Sequence, residues 1–256
     1  MIRLKAPQEI DILAEGGKIL SQILAKIAKA VKPDVITSDL ENMARDLIAK
    51  AGGKPAFLGY RPHGGKTYPA ALCVSINEAI VHTPATFRRK ILSGDVVSLD
   101  LGLWYKNLCT DMATTVLVSP VDKKIKELAV ITKKSLEAAT KECKVGAPIS
   151  AIGKKIQSVV EFAGFNVIRD LVGHGVGHDV HEDPMVPNYY DKAFDKIILK
   201  EGMVIAIEPM TSLGGFEIEL AEDGFTYRTV DGSVSAHFEA TVAITKKGPK
   251  ILTPIV

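Results

Sequence analysis

The sequence predicts an α/β (α+β) fold built as a pseudo-twofold duplication, two helix-helix-strand units around an antiparallel sheet. Three observations predict it. The order of helical and strand-like patterns, two helices and then strands, occurs twice. Two stretches of the chain superpose on later ones in the same order. Four acidic residues stand inside or beside apolar strand patterns, two per half, at corresponding places.

The elements follow from periodicity and punctuation. From Pro7, the residues Ile10, Leu13, Ala14, Ile19, Leu20, Ile23, Leu24 and Ile27 recur at helical spacing. Ser38 is expected to start a second helix, with Glu41 three residues on completing a capping box. That helix runs through Leu40, Ala44, Leu47 and Ile48 and stops at Gly52 and Gly53. Apolar runs predict strands over 72–76, 96–101 and 112–118. Asp122 opens a third helix and Ser150 a fourth, and strands are predicted over 203–207, 216–220 and 238–244.

The duplication is visible in register. At an offset of 112, Lys32 falls on Lys144, Ser38 on Ser150, Leu47 on Val159, Ala51 on Ala163 and Gly52 on Gly164. At an offset of 108, the stretch from Gly94 to Asp100 falls on that from Gly202 to Glu208. Two similar offsets that keep chain order indicate an internal repeat. Units of this kind pack about a pseudo-twofold axis, and a site on that axis draws matching residues from each. No proline- or serine-rich linker intervenes, so residues 1–256 are read as a single domain with halves at about 8–120 and 121–250.

Composition excludes several classes of function. Of 256 residues, 46% are hydrophobic and 24% charged, as in ordinary globular chains. The net charge is only +2, and the lysines are scattered. Lys123, Lys124, Lys126, Lys133 and Lys134 read as a solvated helix face rather than a nucleic-acid patch. Cys73, Cys109 and Cys143 are odd in number and far apart, which gives neither a disulfide framework nor a zinc spacing. A reducing, cytoplasmic location is expected. No apolar signal core stands between Met1 and Asp11, and no run approaches the roughly 18 apolar residues of a membrane span.

The chemistry is carried by the acids. Asp100 sits in Val97-Ser-Leu-Asp-Leu-Gly-Leu103, and Asp111 heads the apolar run that continues to Val116. Aspartate is rare in strands and costly to bury unless it is paired or bound to metal. The eleven-residue separation suits a hairpin with Gly102 and Asn107 in the turn region and both carboxylates on one face. Glu208 ends the run from Val204 to Ile207, and Glu239 precedes Ala240-Thr-Val242. Four carboxylates brought together repel one another, and cations remove that repulsion. With one imidazole the donor set is mainly oxygen, which suits Mn, Fe(II), Co or Zn. Two divalent metal ions balance four carboxylates, and ions about 3.5–4 Å apart are usual in aminopeptidase chemistry.

The histidines divide by context. His174 and His178 have the spacing of a helical zinc motif, but no glutamate follows His174, and Gly173, Gly175 and Gly177 oppose a helix. The segment reads instead as a turn whose glycines let the backbone approach the metals, with His174 as ligand and His181 facing a substrate carbonyl. His178 reads as a hydrogen-bonded structural residue. His82 ends an apolar stretch eighteen residues before Asp100, His237 lies two residues before Glu239 and close to the site, and His63 in its Gly/Pro loop is expected to face solvent.

These segments together resemble a type I methionine aminopeptidase. The carriers are Cys73-Val-Ser-Ile-Asn-Glu-Ala-Ile-Val-His82, Gly94 to Asp100, Asp111, Gly173-His-Gly-Val-Gly177, His181-Glu-Asp-Pro184, Glu201 to Pro209 and Ser235-Ala-His-Phe-Glu239. The resemblance spans nearly the whole chain and implies the pita-bread fold. It implies that Asp100 binds one ion, His174 and Glu208 the other, and that Asp111 and Glu239 bridge both. His82 and His181 would contact the substrate amide and carbonyl, with Glu208 as proton shuttle. Tyr60, Tyr68 and Cys73 match the family's methionine pocket, while Phe57, Val180 and Phe225 stand at pocket positions where other residues are frequent. The chain departs from the pattern at 61–66, which looks inserted, at His82-Thr-Pro84, and at His237 and Ala240 around Glu239. The implied substrates are peptide and nascent-chain N-termini with a small second residue, for a monomer acting near the ribosome surface.

Two other readings remain. A related hydrolase for X-Pro peptides, dipeptides or creatine-type substrates would usually carry a sizeable extra N-terminal domain, whereas the first helix here begins near residue 8. A binding module that has lost catalysis would be expected to lack ligands, whereas all five ligands and both outer histidines stand in the sequence.

Overall fold

The computed structural model describes residues 1–61 and 65–255. Pro62, His63 and Gly64 lie outside them, and so do the expected exposure of His63 and the middle of the 61–66 segment.

Helix α1 (Pro7–Ala30) starts at a proline, whose missing N–H costs nothing in a first turn. Glu9 turns back to accept the Ala6 N–H at 2.7 Å. Helix α2 (Thr37–Lys50) has no side-chain cap, so the capping box expected at Ser38 and Glu41 does not form. Glu41 is buried and turned toward the next strand instead. It accepts the N–H groups of Ala71 (2.7 Å) and Leu72 (2.9 Å) and pairs with Arg45 Nε at 2.6 Å. A carboxylate that serves two buried amides is a stronger use of the side chain than a cap at a helix end.

The first set of strands is β1 (Lys54–Pro55), β2 (Leu72–Ile76), β3 (Ala79–Val81), β4 (Val96–Tyr105) and β5 (Leu108–Leu117). β5, β4 and β2 lie side by side and antiparallel, with β1 beside the end of β4. The hairpin between β4 and β5 turns at Lys106 and Asn107, both with positive φ. Gly102 is therefore not in the turn. It sits within β4 opposite Asp111, and a Cβ there would meet Ala56 Cβ at 2.7 Å and Phe57 Cε1 at 2.8 Å.

The second set begins with α3 (Lys123–Thr140) and α4 (Ser150–Phe162). Then come β6 (Asn166–Val167), β7 (Gly173–Gly175), β8 (Glu182–Val186), β9 (Val204–Ile207) and β10 (Met210–Ser212). β11 (Ile218–Leu220), β12 (Tyr227–Thr229), β13 (Ser235–His237), β14 (Ala240–Thr245) and β15 (Gly248–Ile251) complete the chain. The main sheet has the order β15-β14-β9-β7-β8, all antiparallel. Residues 173–175, expected as a turn, are a strand. Their glycines do serve a close approach, but to neighbouring strands: a Cβ on Gly173 would lie 2.4 Å from the Ala206 carbonyl oxygen, and one on Gly175 2.2 Å from that of Asp183.

Alternation along the strands decides where the acids point. Val97, Leu99, Leu101 and Leu103 of β4 pack with Leu20, Leu24, Ile27, Leu40 and Ile48 of the first two helices. Ile205 and Ile207 of β9, with Val242 and Ile244 of β14, pack with Leu128, Leu136, Ile152 and Ile156 of α3 and α4. Side chains alternate across a strand, so Asp100, Asp111, Glu208 and Glu239 fall on the faces turned away from the helices. There the two sheets meet. Asp111 N–H donates to Thr241 Oγ1 at 3.0 Å, and Thr241 Oγ1 donates to the Asp111 carbonyl at 2.7 Å. Glu239 N–H donates to the Ala113 carbonyl at 3.0 Å, and His237 N–H to Thr115 Oγ1 at 2.9 Å. The pairs 111 with 241, 113 with 239 and 115 with 237 step in opposite directions, as packing about a twofold axis requires.

Candidate metal centre

The acids of the two sheets gather at the floor of a cavity of about 460 Å³. Asp100, Asp111, His174, Glu208 and Glu239 line it together, with His82 and His181. The hairpin register puts Asp100 and Asp111 on one face, since Gly102 lies directly opposite Asp111 and two residues from Asp100. Glu208 leaves the end of β9 and Glu239 enters β14, next to one another across the ladder through Ile207 and Ala240. Ligand-type atoms of Asp111, His174 and Glu239 lie within 4.8 Å of one another.

His174 is oriented by its neighbours. Its Nδ1 is 2.9 Å from the Gly175 carbonyl oxygen, and its Nε2 is 3.5 Å from Glu208 Oε1. The other Glu208 oxygen lies 3.9 Å from His237 Nε2. His181 stacks edge-on to His174 at 4.3 Å and meets the Tyr60 hydroxyl through Nδ1 at 2.8 Å. His82, with φ of 61°, stands against the ring of Tyr227 at 5.8 Å. His178 stays outside the cluster: its Nε2 meets Glu9 at 2.6 Å.

The electrostatics of this floor are those of a cation site. Burial, and then the charge of Asp111, push the carboxyls of Asp100, Glu208 and Glu239 well above the usual carboxylate range. Burial raises Asp111 to about 7. Burial also lowers His174 and His237 to about 3, and His82 and His181 to about 4, so the imidazoles are neutral. Asp100 Oδ1, Asp111 Oδ1 and Glu239 Oε1 are buried without a hydrogen-bond partner. Unpaired buried acid oxygens are expensive, and a divalent cation satisfies them together. The donor set fits such ions.

The upper walls are apolar. Phe57, Tyr60, Tyr68, Cys73 and Phe225 line the cavity. Tyr68 donates to Cys73 Sγ at 2.9 Å and meets Phe225 edge-on at 5.7 Å. Cys73 lies opposite Asp100 in the β2–β4 ladder. Val180 is not on the lining: it is 2% exposed and packs behind it with Phe57, Tyr68 and Val176. Sequence reasoning missed Tyr227, Met185 and Leu220, which also line the cavity. Met185 and Leu220 are largely exposed, and scattered exposed apolar residues give no sequence signal of a common rim. Tyr227 lies on β12, a short strand with no alternating pattern to reveal it.

Comparison with known proteins agrees with this geometry. Residues 11–246 match the model of metallopeptidase family M24. The chain is 44% identical over 256 residues to a methionine aminopeptidase of Aquifex aeolicus, covering 99% of each chain. It is 39% identical to one of Clostridium perfringens, covering both chains fully. The crystal structure of methionine aminopeptidase from Thermotoga maritima superposes with a TM-score of 0.93 at 43% identity, over 99% of each chain. A prolidase from Pyrococcus horikoshii shares the fold alone, with a TM-score of 0.76 at 23% identity over 63% of its length. The duplicated architecture is the pita-bread fold, and the chain belongs to metallopeptidase family M24.

Proposed function

We propose that this chain removes the N-terminal methionine from peptides and nascent polypeptides whose second residue is small. Asp100, Asp111, His174, Glu208 and Glu239 would hold two divalent ions (Mn, Fe(II), Co or Zn). When bound, such ions acidify water and draw charge from a carbonyl oxygen. The observation that carries the reading is the set of buried acid oxygens from both sheets, unpartnered by protein, beneath an apolar cavity.

The chain's own groups supply the rest. The acidic floor attracts a free amino terminus, which restricts cleavage to the first peptide bond. Phe57, Tyr60, Tyr68, Cys73 and Phe225 receive the methionine side chain, whose polarisable sulfur suits aromatic walls. Val180 shapes that wall from behind. His82 and His181 face the substrate amide and carbonyl. Glu208 takes the proton of the attacking water and returns it to the leaving amine. The enzyme works as a cytoplasmic monomer on chain ends leaving the ribosome, a part of the proposal that rests on the resemblance to type I methionine aminopeptidases.

The test is to strip the purified protein of metal, restore Mn, Fe(II), Co or Zn separately, and measure the amino acid released from Met-Ala-Ser, Met-Leu-Ser and Ala-Pro-Ser. Metal-dependent release of methionine from Met-Ala-Ser, with Met-Leu-Ser slow and Ala-Pro-Ser untouched, is expected. Preference for Ala-Pro-Ser would indicate an X-Pro hydrolase. A folded, metal-loaded sample that cleaves none of the three would contradict the proposal.

A further inference from the structure

His174 and His181 stand 4.3 Å apart on the cavity wall, but the partners of their Nδ1 atoms have opposite chemistry. His174 Nδ1 faces the Gly175 carbonyl at 2.9 Å. A carbonyl only accepts, so Nδ1 carries the ring's proton and Nε2 keeps its lone pair on the Glu208 side, as a ligand atom must. His181 Nδ1 faces the Tyr60 hydroxyl at 2.8 Å, and a phenol can donate as well as accept.

The surroundings decide the direction. The neutral ring of His181 has one N–H. On Nδ1, that proton would leave the lone pair of Nε2 to a cavity already bounded by Asp100, Asp111, Glu208 and Glu239. With the phenol donating, Nε2 carries the hydrogen in an acceptor-rich cavity. Both partners are held in place. Tyr60 N–H donates to the Phe57 carbonyl at 2.9 Å, and the Tyr60 carbonyl accepts from Tyr68 N–H at 2.8 Å. The turn before His181 is closed by Glu182, which accepts the N–H groups of His178 (2.5 Å) and Asp179 (2.9 Å). Glu182 is in turn pinned by Lys5 Nζ at 2.7 Å, with both side chains 1% exposed.

We infer that Tyr60 is a positioning residue as well as part of the cavity wall: its hydroxyl donates to His181 Nδ1 and fixes His181 as an Nε2–H donor to the substrate's carbonyl oxygen. Two adjacent histidines thus hold opposite tautomers, one serving as ligand and the other as donor. The inference rests on the proposed placement of His181 at the scissile carbonyl.

The experiment is ¹⁵N spectroscopy of imidazole-labelled, zinc-loaded enzyme, alongside steady-state kinetics of Tyr60→Phe. In the unaltered chain His181 is expected to show a protonated Nε2 and a bare Nδ1. In Tyr60→Phe the two tautomers mix, and kcat falls about 10–100-fold, the usual effect of losing a group that orients an active-site histidine, with KM changed less than about threefold. A protonated Nδ1 on His181 of the unaltered chain would overturn the inference, as would an unchanged kcat in folded Tyr60→Phe. If that variant does not fold, the spectrum of the unaltered chain decides alone. The predicted tautomer in a protein that releases no methionine would keep Tyr60 as the group that sets the tautomer of His181 and would overturn the functional reading, and with it the donation to a scissile carbonyl.

Discussion

The two sets of strands meet at the same floor but deliver their acids differently. In the first, Asp100 and Asp111 lie inside two ten-residue strands, β4 and β5, in one continuous ladder. In the second, β9 has four residues and ends before Glu208, Pro209 follows, and Glu239 precedes β14. The shorter acid stands where the ladder is unbroken, and the longer one where it ends. Their neighbours differ too: Asp100 lies opposite the thiol of Cys73, whereas Glu208 lies 3.5 Å from the imidazole of His174. The duplication has kept the positions of the carboxylates and let reach and neighbouring donor vary, which makes one side oxygen-rich and gives the other a nitrogen.

The largest expected effects test whether the two sets are equivalent at the centre. Asp111→Ala and Glu239→Ala should each reduce kcat/KM by at least about 10³-fold, as loss of metal-assisted chemistry demands, and each should lower the bound metal measured by elemental analysis. Full metal content and turnover in either variant would break the pairing. Next in size is His82→Ala, which should retain metal and slow turnover by about 10²–10⁴-fold. A wild-type rate would remove His82 from the chemistry.

Acidity sharpens the comparison further. Asp111 is raised from 3.8 to about 7 in the folded chain by burial. Between those values the folded state holds a proton that the unfolded state has released. The stability this contributes is fully present below about 4 and is lost as pH rises through about 7. The imidazoles of His82, His174, His181 and His237, lowered to about 3–4, act in the opposite sense, so the effect is read by difference. From pH 5 to pH 8, metal-stripped Asp111→Asn should gain melting temperature relative to the metal-stripped unaltered chain, and added divalent ion should raise the melting temperature of the unaltered chain more at pH 8. The same change with pH in both chains would contradict the burial of this acid. The smallest effect is expected at the seam. Thr241→Val removes both hydrogen bonds to the Asp111 backbone and should cost about 1–3 kcal/mol in denaturant unfolding, with a much smaller loss of activity than Asp111→Ala. No loss of stability would mean that the seam is not held there.

Much of this was legible in the sequence, because acids in apolar strands are costly and stand out. The helix order, the hairpin and the single face shared by Asp100 and Asp111 follow from period and spacing. What was not legible was set by contacts between distant segments. Glu41 reads as a cap until β2 brings the Ala71 and Leu72 amides to it. Gly102 and Gly173 to Gly175 read as turns because glycine is poor in strands, yet each is there because another backbone or ring comes too close for a Cβ. Val180 reads as pocket wall, and only the packing of Phe57 and Tyr68 puts it behind.

The central claim, that both sets of strands share one pair of ions, is tested most directly by anomalous diffraction from crystals soaked in manganese. Two peaks about 3.5–4 Å apart, with the carboxylates of Asp111 and Glu239 reaching both, are predicted. Well-ordered manganese elsewhere on an active protein, with none between these two acids, would contradict it.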